Sequence, residues 1–196
     1  MGFGDILFIN IHTIPIGFAY WLLQNYDPNT QKIFDGTHKI TVSSSLINDI
    51  FGIPNGGKFV VTKFRPNSKN EVVNEWRSQF GEPIPAKITM KKFSDHLKKR
   101  KDCGRIFQMN FLVMFFSVMG EMMLSITVNQ RFLLSLDGDI DVKELNWCDY
   151  IVDCLKRTRL MWKGEADFFN GPMLLLSVNF LTISYILHNV ILLCYI

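Results

Sequence analysis

Two short stretches and one set of cysteines carry residue types that chemistry could use. The first is GIPNGGKF, in which Gly52, four residues, Gly57 and Lys58 reproduce the spacing of a phosphate-binding loop. Such a loop needs a strand before it, a helix after it, and a hydroxyl after the lysine to hold magnesium. Phe59 occupies the hydroxyl position, the preceding residues carry a helical stripe, and VVTKFRPN after it cannot open a helix aimed at phosphates. The stretch therefore reads as a helix C-terminus followed by a turn, with no cofactor. The second is Asp137-x-Asp139-x-Asp141, the opening of a calcium loop. That loop wants glycine sixth and glutamate twelfth, where this chain has Val142 and Cys148. Helix capping by Asp141, three residues ahead of Glu144, is the expected use. The third is the cysteine set, Cys103, Cys148, Cys154 and Cys194. A cysteine nucleophile needs a basic partner, yet His12, His38, His96 and His188 are scattered and the cysteines have no metal-ligand spacing. No catalytic, cofactor-binding or metal-ligating residue is assigned.

Charge gives a better candidate. The net charge is only +3, but its distribution is uneven. Residues 58–105 hold thirteen Lys and Arg against five Asp and Glu, while the segments on either side are net acidic. Such a block carries a positive field of the kind that can steer an acidic partner. Its densest part comprises Lys87, Lys91, Lys92, Lys98, Lys99, Arg100, Lys101 and Arg105. That patch is the candidate site, for nucleic acid, an acidic protein or nuclear import; the alternative is a solvated helix face. The run has little aromatic interleaving to suggest base stacking.

The elements that must position this patch are mostly helical. PIGFAYWLLQNY (15–26) reads as a helix with proline in its first turn. Asp35-Gly36 between QKIF and HKITV signals a small β-hairpin over about 31–42. Ser43–Ser45 offer N-caps to a short helix carrying Leu46, Ile47, Ile50 and Phe51, stopped by Gly52 and Pro54. A short strand is expected near Phe59–Val61, and a helix over about 69–79 bears Val72, Val73 and Trp76. A basic amphipathic helix over about 88–102 carries Ile88, Phe93 and Leu97 on one face, closed by Cys103-Gly104. The apolar run from Ile106 to Leu124 predicts a central buried helix, with Glu121 its only charge. Another helix is expected over about 142–162, with cations at its end matching the dipole.

The chain's 196 residues, 48% apolar and 20% charged, suit one compact domain, mainly α with one small β-hairpin. Sparse cysteines read as reduced thiols of a cytosolic or nuclear protein, and MGFGDILF lacks the basic flank of a secretory leader. From Phe168 to Ile196 there is no charge, long enough to span a bilayer. Ser177, Asn179, Thr182, Ser184, His188 and Asn189 interrupt this run, so a buried helix, a membrane anchor over 172–196 and a truncated end all stay open.

The sequence order GFGDILFINIHTIP, NYDPNTQKI, HKITVSSSLINDIFGIPNGG, FQMNFLVMFF, NWCDYIVDCL and FFNGPMLLL resembles the N-terminal region of plant transposon-encoded proteins of the ubiquitin-like-specific protease family. More distantly, it is similar to the plant mobile domain, also labelled aminotransferase-like. The resemblance spans about residues 2–176, and it implies a mobile-element origin, a mostly helical fold and nuclear residence. It carries no aminotransferase or protease chemistry here, because no lysine sits in a cofactor setting and no protease His, Asp and Cys follow. The expectation is a helical domain over 1–176, an atypical tail over 177–196, and a non-catalytic interaction module. The alternatives are a membrane-tethered protein and a fragment of a larger cysteine protease without its catalytic domain.

Overall fold

The structure is a computed structural model that describes residues 1–9, 11, 13–61, 69–101, 103–123, 126–138, 140–164 and 166–193. His12, Asp139, Cys194 and the connection over 62–68 lie outside the described residues. The fold is mainly α, with seven α-helices and two very small sheets among the described residues.

Helix α1 (Ile16–Asn25) follows Pro15, whose carbonyl accepts the first helical bond from Ala19 N. It leads directly into β1 (Tyr26–Asp27), a strand the sequence pattern does not announce. β2 (Lys32–Phe34) and β3 (Lys39–Thr41) form the expected hairpin, with Ile33 opposite Ile40. Asp35 closes the turn by accepting the amides of Thr37 and His38. β1 adds antiparallel to β2, making a three-stranded sheet. Only Tyr26, Ile33 and Ile40 of its strand residues are buried; they pack with Leu22, Leu176 and Phe180.

Helix α2 (Ser44–Phe51) begins as expected, with Ser43 Oγ accepting from Leu46 N, and ends at Gly52 in the left-handed conformation. β4 (Lys58–Phe59) pairs in parallel with β5 (Leu145–Asn146), which brings the GIPNGGKF turn against the start of α6. Gly57 is required there. Its φ is +84°, and a Cβ would stand 2.1 Å from the Glu144 carbonyl oxygen.

Three expected helices are shorter than their hydrophobic runs. The basic helix over 88–102 is α4 (Met90–Leu97), capped by Thr89 Oγ1 accepting from Lys92 N. It stops where four consecutive cations begin, since like charges three and four apart repel on a helix. Gly104, at φ +62°, does not close it but opens α5 (Gly104–Phe115). The central apolar run does not continue as α-helix to residue 124; it widens into a π-turn over Phe116–Gly120 and becomes extended at Glu121. The helix expected over 142–162 is a 3-10 turn (Val142–Glu144), then β5, then α6 (Trp147–Met161). Asp141 caps only the 3-10 turn, accepting from Lys143 N, while Asn146 caps α6 by accepting from Asp149 N at 3.0 Å. Helix α3 (Glu71–Ser78) lies where expected and buries Val72, Val73, Trp76 and Arg77.

The main core is aromatic. The rings of Phe116 and Trp147 stack at 4.9 Å, and Phe132, Tyr150 and Phe3 meet them edge-on or tilted. Helix α7 (Met173–Leu193) follows Pro172 and runs unbroken through residues 176 and 177. Leu175, Leu176, Ser177, Asn179 and Phe180 are buried in its first two turns. Among the described residues, no helix is long and apolar enough to cross a membrane.

Candidate functional site

The cations picked out by charge fall into two groups. Lys87 stands exposed in the loop before α4, Lys91 and Lys92 are in its first turn, and Lys98 to Lys101 follow its last turn, all exposed. Among the described residues, none of the six lysines Lys87, Lys91, Lys92, Lys98, Lys99 and Lys101 forms an ion pair with a carboxylate. Arg105 differs. Its Nε lies 3.0 Å from Glu75 Oε1, Nη1 donates to the Gly138 carbonyl at 2.7 Å, and Nη2 donates to the Leu136 carbonyl. This arginine ties α5 to α3 and to the 131–138 segment, so it belongs to the scaffold.

Two recesses flank α4. The first is an open cleft of about 460 Å³ whose lining includes Lys91, Lys92, Lys99, Thr89, Phe80 and His96. The Phe80 and His96 rings are 4.7 Å apart. Among the described residues of its lining Asp95 is the only carboxylate, against Lys91, Lys92 and Lys99, so these side chains sum to a net positive charge. The second recess, of about 270 Å³, is lined by the apolar Leu97, Phe107, Phe111 and Met114 together with Asn110, Arg100 and Lys101.

A hydrogen-bonded ladder joins the two. His96 Nε2 donates to Gln79 Oε1 at 3.0 Å, which requires the proton on that nitrogen. Asn110 Nδ2 donates to the same oxygen at 3.0 Å, and Asn110 Oδ1 accepts from buried Trp76 Nε1 at 2.8 Å. Gln79 and His96 face the first recess and Asn110 the second. The ladder thus ties α4 to α3 and α5 between the two recesses. Phe107 and the ladder are what reading the run alone misses. The aromatic residues adjoin the cations in space through α5, whose Phe107, Phe111 and Met114 repeat at helical spacing.

Elsewhere the remaining candidates for chemistry have structural uses. The Gly52 amide donates back to Asn48 O, the Pro54 carbonyl accepts the Trp147 and Cys148 amides, and Lys58 Nζ lies 3.9 Å from Glu144. The Gly57 backbone, which would cradle a phosphate, is pressed against Glu144. Asp137 and Asp141 accept local amides, and the sixth and twelfth calcium positions, Val142 and Cys148, are buried. No cluster of His, Cys, Asp and Glu among the described residues can hold a metal ion. Burial pushes the Cys148 and Cys154 thiols up to about 12, Arg157 opposing the rise at Cys154, so both are protonated at neutral pH. Cys103 is exposed. His38 lies 3.4 Å from Asp35 in the hairpin turn, and His188 is exposed on α7.

A buried polar centre lies where the π-turn ends. Glu121, 3% exposed, receives Arg131 Nη1 on Oε1 and Arg157 Nη2 on Oε2, both at 2.8 Å. Asn129 Nδ2 donates to the Glu121 carbonyl and to Tyr150 Oη. The centre clamps the chain end of α5 to α6; its groups are satisfied by one another. A third recess, of about 400 Å³ between α1 and the start of α7, has apolar and aromatic walls including Tyr20, Trp162 and Phe169.

Together these features define a mainly α domain with a cationic cleft and an apolar groove on either side of one short helix. The chain belongs to the family described as a domain of unknown function (DUF8566), whose model matches residues 1–177. Searches of curated proteins and of solved structures give no match.

Proposed function

We propose that this chain is a non-catalytic binding module of transposon descent, nuclear in residence, that docks on the phosphates of nucleic acid through the α4 surface. The cleft formed by Lys91, Lys92, Lys99 and His96 carries the reading, because it gathers cations over a recess while the neighbouring Arg105 is occupied by the scaffold. Descent and compartment are supported by the likeness of GFGDILFINIHTIP and HKITVSSSLINDIFGIPNGG to plant transposon-encoded proteins and the plant mobile domain.

Phosphate contact of this kind releases counterions, so affinity should fall steeply with salt. The test is fluorescence anisotropy of a labelled single-stranded 20-mer between 50 and 200 mM salt, at about 0.7 in log–log slope per phosphate met. The combined variant Lys91→Ala, Lys92→Ala, Lys99→Ala should lower that slope by about 2. Salt-insensitive binding, binding of polyglutamate in place of the oligonucleotide, or no binding would overturn the proposal.

A further inference from the structure

The proposed docking to phosphates leaves the apolar groove on the other side of α4 unexplained. Phe107 is 48% exposed and Met114 42%, while Phe111 lies between them on the same side of α5. A half-exposed phenylalanine in a recess walled by Leu97, Phe111 and Met114 presents a flat apolar surface to solvent. Lys101 and Arg100 line the same recess. An apolar face bordered by cations is complementary to a flat, weakly polar ring attached to an anionic chain, and a nucleotide is such a group. A peptide of Asp and Glu alone would satisfy the cations and leave the ring of Phe107 without a partner.

Resting on the nucleic-acid reading above, we infer that the groove takes one unstacked base of a single-stranded nucleic acid. Phe107 supplies the ring on which the base stacks, Lys101 meets its phosphate, and Lys91, Lys92 and Lys99 meet phosphates further along. The His96–Gln79–Asn110 ladder lies between the base site and the phosphate cleft. Duplex bases are already stacked and paired, so the groove selects single strands. Stacking on an aromatic side chain is tolerant of sequence, and the amide of Asn110 in the groove is already engaged by Trp76 and Gln79.

The test uses the full chain and four fluorescein-labelled probes: U12, dT12, a twelve-residue abasic strand and a twelve-base-pair duplex. Phe107→Ala should weaken binding to U12 or dT12 by about tenfold, within the range of a lost base stack, and leave the salt slope unchanged. Phe107→Tyr should retain the affinity of the original chain. The abasic strand should bind both the original chain and Phe107→Ala equally, and more weakly than the original chain binds U12 or dT12. Loss in the ribose or the deoxyribose arm names the strand. If Phe107→Ala binds the single strands as tightly as the original chain, or if the abasic strand or duplex binds as well as they do, the base site is wrong while phosphate docking stands. If no probe binds any form of the chain, both the base site and the docking proposal fall.

Discussion

The carboxylate of Glu121 meets Arg157 Nη2 at 2.8 Å inside the molecule, one residue after the π-turn that ends the central helix. Arg131 takes the second oxygen, so the only charge in an otherwise apolar run is doubly paired. The pair joins two segments 36 residues apart and accounts for where the helix stops.

Glu121→Leu should therefore destabilise the fold. It leaves two guanidinium groups facing an apolar gap, but both are about one-third exposed and can swing toward water. The cost is expected at about 1–3 kcal/mol, below that of a fully buried broken pair. Urea unfolding followed by circular dichroism should show a lower midpoint with an unchanged m-value. An unchanged midpoint would mean that the pair contributes nothing net.

Arg105→Ala separates scaffold from binding surface. Arg105 holds two carbonyls and Glu75, so the substitution should cost about 1–2 kcal/mol in stability. It should leave the salt slope of oligonucleotide binding as it was, in contrast to the lysine substitutions. A slope reduced by a full phosphate contact would return Arg105 to the basic patch.

Much of this arrangement is legible in the sequence, and the limits have physical causes. Ser43, Gly52 and the Asp35-Gly36 turn act within a few residues, so their local chemistry marks α2 and the hairpin correctly. The shortened helices are set by distant partners. Glu121 leaves its helix for arginines 10 and 36 residues away, and β5 leaves the expected helix over 142–162 to pair with β4. The basic run is visible as composition, whereas the groove beside it needs α5 to fold back so that Phe107 adjoins Lys101. No periodicity within either segment encodes that approach.

Alkaline stability should fall early. Cys148 and Cys154 are raised by burial to about 12, Tyr26 likewise to about 12, and Tyr150 is raised well above its ordinary value of 10. Each folded pKa exceeds its unfolded value, so the folded state holds protons that the unfolded state releases. Stability from the thiols is complete below about pH 9 and is lost as pH rises toward 12; the tyrosines add their loss above about pH 10. Thermal unfolding at pH 7, 9 and 10.5 should show a progressive fall, and Cys148→Ala should flatten it between pH 9 and 10.5. A curve level across that window would contradict the burial of these groups.

Gly56 and Gly57 offer a paired test of the turn that resembles a phosphate loop. Both have positive φ, at +102° and +84°, so alanine at either position carries backbone strain of about 1–3 kcal/mol. Only at Gly57 does the new Cβ also meet backbone, 2.1 Å from the Glu144 carbonyl oxygen, whereas at Gly56 nothing lies within 4 Å. Gly57→Ala must push β4 away from β5 and loosen the Pro54 carbonyl from the Trp147 and Cys148 amides that begin α6. It should therefore lower the unfolding midpoint clearly more than Gly56→Ala, and it should raise amide exchange at Trp147 and Cys148. If the two substitutions cost the same and exchange at those amides stays slow, the close approach does not restrict the site. If instead Gly57→Ala is the more damaging, the glycine is needed to seat one strand against another.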